Sequence, residues 1–124
     1  MRNQKIILLL LYSYALLHFS KERAAMKKEN AFQAALIKEL KVIFPGCVVL
    51  KNDSSYCQGI PDLLVLYKEH WAMLECKRSA SASHRPNQDY YIKKLGEMSY
   101  ASFISPDNKE RILDELQQAF QSRR

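Results

Sequence analysis

Residues 59–79 read GIPDLLVLYKEHWAMLECKRS, with Asp62 opening the apolar run DLLVLY and Glu75 and Lys77 closing WAMLECK. Runs of this kind suit strands made for burial, so charges inside them need a partner or a use. Lys68-Glu69 has the length of a two-residue hairpin turn, which pairs Tyr67 with His70 and, counted outward, Asp62 with Glu75. Directly opposed residues share a face with Cβ atoms about 5 Å apart. Two carboxylates held that close repel, and at least one keeps a proton unless a cation lies between them. A divalent metal meets the requirement. With no His or Cys at zinc spacing nearby, an oxygen-only set suits Mg²⁺, with Mn²⁺ as its substitute. Lys77 lies two residues beyond Glu75 and therefore on the same face. A fixed cation there can hold a water and stabilise charge growing on a phosphate, which is the chemistry of phosphodiester hydrolysis.

The elements that must position these groups are legible on either side. From Lys27 to Phe44, Phe32, Ala35, Leu36, Leu40 and Ile43 recur at helical spacing, and Pro45-Gly46 stops the helix. CVVLK at 47–51 reads as a strand and NDSSYCQG at 52–59 as a loop. The two runs of the hairpin are apolar on successive as well as alternate positions, which predicts central strands covered by helices on both faces. After the polar loop RSASASHRPN comes a helix, NQDYYIKKLGEM, with Gly96 as its stop, and then the strand YASFI. In SPDNKERILDELQQAF the spacing predicts a helix capped by Ser105, with Pro106 at its first position, Asp107 in its first turn, and Ile112, Leu113, Leu116 and Phe120 as its buried stripe. The expected fold class is α/β, a small mixed central β-sheet flanked by helices in the order α-β-β-β-α-β-α.

A chain of 124 residues, 48% hydrophobic and 26% charged, accommodates one modest core. The net charge of +6 favours a polyanionic partner. Cys47, Cys57 and Cys76 form neither an even disulfide set nor a CxxC pattern, which points to free thiols in a reducing compartment. Residues 1–25 stand apart, with Arg2 and Lys5 preceding a fourteen-residue apolar stretch from Ile6 to Phe19. Three readings fit: an extension that a start at Met26 would omit, an extra helix packed on the domain, or a signal or anchor segment. The stretch is shorter than the roughly 20 residues a bilayer requires. Residues 26–124 then form the domain proper and retain a charge of +3.

G-x-P-D followed thirteen residues on by E-x-K resembles the PD-(D/E)XK nuclease superfamily, and the short stand-alone format is similar to its VRR-NUC branch and to small phage-type resolvases. The resemblance covers about Lys28 to Phe120. It implies a restriction-endonuclease-like core and a Mg²⁺-dependent DNA endonuclease, with branched DNA or Holliday junctions among its substrates. By the same resemblance Asp62, Glu75 and the backbone carbonyl of Cys76 bind metal, and Lys77 is the catalytic lysine. A helix glutamate that joins the metal ligands and the catalytic set falls on Glu29, with Glu39 second, and Gln88 orders the site or the DNA. Gly59 and Pro61 belong to the motif, and Lys51, Asn52 and Ser55 lie where substrate is touched. The implied setting is the cytoplasm of a bacterial or phage-infected cell, with DNA and a homodimer as partners and no stable membrane association.

Plainer roles stand beside these. Gly59 can supply a positive φ, Pro61 can stiffen the strand start, Glu29 can be a solvated residue of the helix's first turn, and Gln88 can make a local helix-start hydrogen bond. His70 and His84 read as turn and loop residues. Tyr90 and Tyr91 suit either base stacking or the core. The rival function from another class is a non-catalytic DNA-binding accessory module with the same fold; a membrane-anchored protein is a third.

Overall fold

The computed structural model describes residues 2–121. Helix α1 runs from Arg2 to Ile43 without a break, about 63 Å at 1.5 Å per residue, because no glycine or proline occurs before Pro45. It therefore begins 25 residues before the expected Lys27. Its end is built from Phe44 N donating to Leu40 O at 2.8 Å and Gly46 at φ 87°, a left-handed position that disfavours any side chain.

The sheet holds four strands in the order β1-β2-β3-β4: β1 is Val48–Lys51, β2 Leu63–Tyr67, β3 His70–Cys76 and β4 Tyr100–Ile104. The first three are antiparallel neighbours and β4 lies parallel to β3. That parallel pair needs a crossover, which α2 (Pro86–Met98) supplies; α3 (Lys109–Gln121) follows β4. The hairpin turns at Lys68, which takes φ 54°, and Tyr67 pairs with His70 while Leu63 pairs with Leu74. The α/β class and the element order agree with the reading from sequence.

One face of the sheet carries the core. Leu63, Val65, Ala72, Leu74, Cys76 and Ile104 meet Leu36 and Leu40 of α1 and Ile112, Leu113, Leu116 and Phe120 of α3. Phe44, Tyr67 and Phe120 close its far end with ring centroids 5.1–5.9 Å apart. The opposite face is only partly covered. α2 contacts β4 and β3, whereas Val48, Leu50 and Leu66 on β1 and β2 stay exposed. Coverage of the hairpin on both faces, expected from its apolar runs, is thus corrected: in β2, Leu63 and Val65 are buried, whereas Leu64 is half-buried and Leu66 exposed.

Four local expectations also change. Gly96 does not end α2, which continues to Met98 without positive φ at that glycine. Ser105 does not cap α3; it is buried, and Asn108 accepts its N–H on Oδ1 at 2.8 Å while the Asn108 carbonyl takes the first helical bond from Ile112. Pro106 and Asp107 consequently lie in a turn before the helix, with Asp107 accepting from Ala80 N at 2.7 Å. Ala35 is exposed, and Ile37 packs against the core in its place. The three cysteines are free. Residues 6–19 are helical but not packed on the domain, which corrects the second of the three readings. Among the described residues no helix is long and apolar enough to cross a membrane.

Candidate active site at the end of the sheet

Asp62 and Glu75 occupy the rung just beyond the last regular pair of the hairpin, Leu63 with Leu74. Here side chains extend the ladder. Asp62 N donates to Glu75 Oε2 at 3.0 Å, and Cys76 N donates to Asp62 Oδ2 at 2.9 Å, so each carboxylate accepts from the backbone of the opposing strand. Behind them the chain start of β2 is fixed by Asn52, whose N–H donates to Asp62 O and whose Nδ2 donates to Pro61 O, both at 2.8 Å. Pro61 is fully buried. Gly59 takes φ 90°, and a Cβ added there would fall 2.3 Å from Cβ of Asn87. Only glycine meets both conditions, and its closeness to Asn87 brings the start of α2 against the loop before β2.

That contact matters because α2 carries Gln88. Gln88 Nε2 donates to Glu75 Oε1 at 2.8 Å, while its Oε1 accepts from Lys77 Nζ at 2.8 Å and from Arg85 N at 3.0 Å. The last bond is the local helix-start role, made by the same oxygen that holds the lysine. Lys77 is in turn fixed by its own N–H to Ile104 O at 2.8 Å. Glu75 keeps 3% of its surface and Lys77 8%, so an acid and a base are buried side by side, joined through one amide.

The electrostatics follow from burial. Desolvation, then the neighbouring Asp62, pushes the Glu75 carboxyl up to about 8, against the pull of Lys77 and the Asp62 N–H. Asp62 is raised by burial, opposed by the Cys76 N–H, Lys77 and a hydrogen bond with Glu75. Glu29 on α1 is raised by burial, with Lys77 lowering it, Asp62 raising it, and Arg78 and Arg85 lowering it. It therefore shares the field of the cluster. Burial and then Asp62, Glu75 and Glu29 raise the Cys76 thiol, which leaves it an inert core residue.

The other expected positions divide clearly. Glu39 is turned away to α3, where it pairs with Lys109 at 3.0 Å. Asn52 and Pro61 position the strand. Ser55 closes an exposed turn, donating from N at 2.9 Å and from Oγ at 2.5 Å to Asp53 Oδ1, and makes no bond to the cluster. Lys51 is exposed at the end of β1, opposite Leu63. His84 is held at 2.9 Å by Asp89 and stacks on Phe103 at 3.8 Å, and His70 stacks on Phe120. Tyr90 is exposed and Tyr91 half-buried, the latter accepting from Cys57 Sγ at 3.2 Å.

Two residues were not anticipated. Gln33, four positions after Glu29, opposes the rise in the Cys76 thiol's pKa; the helical i, i+4 step from Glu29 is the signal that could have found it. Asn87, the residue that excludes a side chain at Gly59, has no such signal. Among the described residues no group of three or more His, Cys, Asp and Glu side chains is gathered closely enough to hold a metal. Asp62 and Glu75 remain paired at the strand end, and Glu29 does not join them in such a group. No family model, curated protein or solved structure matches the chain.

Proposed function

We propose that this chain is a Mg²⁺-dependent DNA endonuclease with a restriction-endonuclease-like core, hydrolysing phosphodiester bonds at the sheet end. The observation that carries the reading is the pairing of buried Lys77 and Glu75 through half-buried Gln88, set against Asp62 at the entry to the adjoining strand. A lysine and a glutamate buried this deeply cost stability unless they are paired, and here the pairing leaves them at a strand end rather than in the core.

Asp62, Glu75 and the Cys76 carbonyl would hold the cation, with Glu29 adding negative charge from α1. When bound there, the ion lowers the pKa of water and neutralises charge on the phosphate. Lys77 Nζ, positioned by Gln88, holds the attacking water and stabilises the phosphate oxygens. Water forms one new P–O bond as one P–O ester bond breaks; the water gives up a proton and the leaving oxygen takes one. Arg78 and Arg85 are exposed, act electrostatically on Glu29, and form a basic rim suited to the DNA backbone. The free cysteines fit a reducing cytoplasm.

The test is a panel of labelled linear, forked and four-way DNAs incubated with Mg²⁺, Mn²⁺ or EDTA. Cleavage with either metal and none with chelator is expected. Binding without cleavage under every condition would transfer the chain to the accessory-module reading; undiminished cutting in excess EDTA would remove the metal from the mechanism.

A further inference from the structure

From Ile6 to Phe19 every large apolar side chain of α1 keeps 51–70% of its surface, and burial on this helix reaches completion only at Leu36 and Leu40. A helix apolar on all sides is one that other protein or lipid covers. The total surface carries the same message. The chain exposes 9143 Å², whereas a compact monomer of 14.4 kDa exposes about 6,800 Å² by size scaling. The excess is roughly 2,300 Å² per chain and belongs to the part of α1 that extends beyond the domain, of which a paired helix would cover one face.

Length and pattern favour a second copy over a bilayer. Fourteen helical residues span about 21 Å, less than the roughly 30 Å hydrocarbon core. Ser13 and His18 interrupt the segment, and His18 pairs with Glu22 one turn on at 3.2 Å. Leu9, Tyr12, Leu16 and Phe19 recur at steps of three, four and three, which is the seam along which two helices interlock, and Lys5 and Arg23 bound it at the corresponding positions on either side. All four apolar residues are exposed.

We propose that residues 6–19 are a self-association surface, through which two copies of the chain pair α1 against α1 along Leu9, Tyr12, Leu16 and Phe19. Leu8 and Ala15 flank this seam on one side and Ser13 on the other. The interface stands on the apolar helix and not on the nuclease reading, so either can fail without the other. Its consequence is a particle holding two sheet-end clusters.

Sedimentation equilibrium of the full chain at tens of micromolar should give a mass twice 14.4 kDa. Leu9→Glu with Leu16→Glu should return it to monomer with unchanged fluorescence of Trp71, which lies on β3 in the domain. Val42→Glu, an exposed apolar position of α1 outside the segment, should leave the dimer intact. Ser13→Cys, at the middle of the segment, should cross-link copies under mild oxidation. A wild-type monomer at these concentrations overturns the proposal. So does a dimer that survives the double substitution, or flotation of the protein with phosphatidylcholine vesicles in place of self-association.

Discussion

At the sheet end Glu75 and Lys77 are almost wholly buried, while on the N-terminal half of α1 a run of leucines stands in solvent. The two regions invert the usual partition of charged and apolar residues. The difference lies in available partners. Each polar group at the sheet end has a hydrogen-bonding neighbour from another element: Asp62 from β3, Glu75 from β2 and α2, and Lys77 from α2. The leucines of residues 8–11 meet no element of their own domain that would bury them. Burial here follows from what the fold can place opposite a residue, and hydropathy alone does not decide it.

The sharpest way to break the comparison is to remove its buried charges. Lys77→Ala should lower single-turnover cleavage about 10²–10³-fold or more while retaining Mn²⁺ binding by calorimetry. Asp62→Ala should lose cleavage and metal affinity together. Wild-type cutting by the Lys77 variant would end the assignment of this lysine.

The scaffold under the cluster comes next. Gly59→Ala places a Cβ against Asn87 in a positive-φ conformation, so urea denaturation should show a loss of about 2 kcal/mol or more. Retained stability would mean that α2 can move away from the loop without loss.

A smaller effect should appear in pH dependence without metal. Glu75 has a folded pKa of about 8 against 4.5 when free, so its proton favours the folded state: that contribution is complete below about 4.5 and is lost as pH rises to about 8. Asp62 and Glu29 are shifted in the same direction. The metal-free urea midpoint should therefore fall across this window, Glu75→Gln should flatten the fall, and Mg²⁺ should restore stability at the upper end. A midpoint rising from pH 5 to 8 would contradict the buried-carboxylate account.

The smallest change belongs to the opposite region. A chain shortened to begin at Met26 keeps Leu36 and Leu40, the buried residues of α1, and its domain stability should shift by no more than about 0.5 kcal/mol once oligomeric state is matched. A larger loss would show that the exposed segment supports the core.

Much of the site was readable because a hairpin is arithmetic. Lys68-Glu69 set the register, side chains alternate with period two, and Asp62 therefore had to face Glu75 with Lys77 on the same side. Gln88 and Glu29 came from resemblance rather than from spacing, since helix–sheet distances are not encoded locally. The missed features share that character. Asn108 displaced Ser105 at the start of α3 because β4 draws Ser105 into the core. The outer face of β1 and β2 stays open because α2 sits over β4 and β3, a matter of where a crossover lands.

Local chemistry was therefore enough to establish the seven elements in order, the hairpin pairing, the stop at Pro45-Gly46 and the apolar character of residues 6–19, because propensity, turn length and periodicity act between near neighbours. Only the folded chain decided that Gln88 would bridge Lys77 to Glu75, that Gly59 must lack a side chain because of Asn87, and that the most apolar helical segment would lie outside the core. Those outcomes depend on distances between elements far apart in the chain, and packing alone sets them.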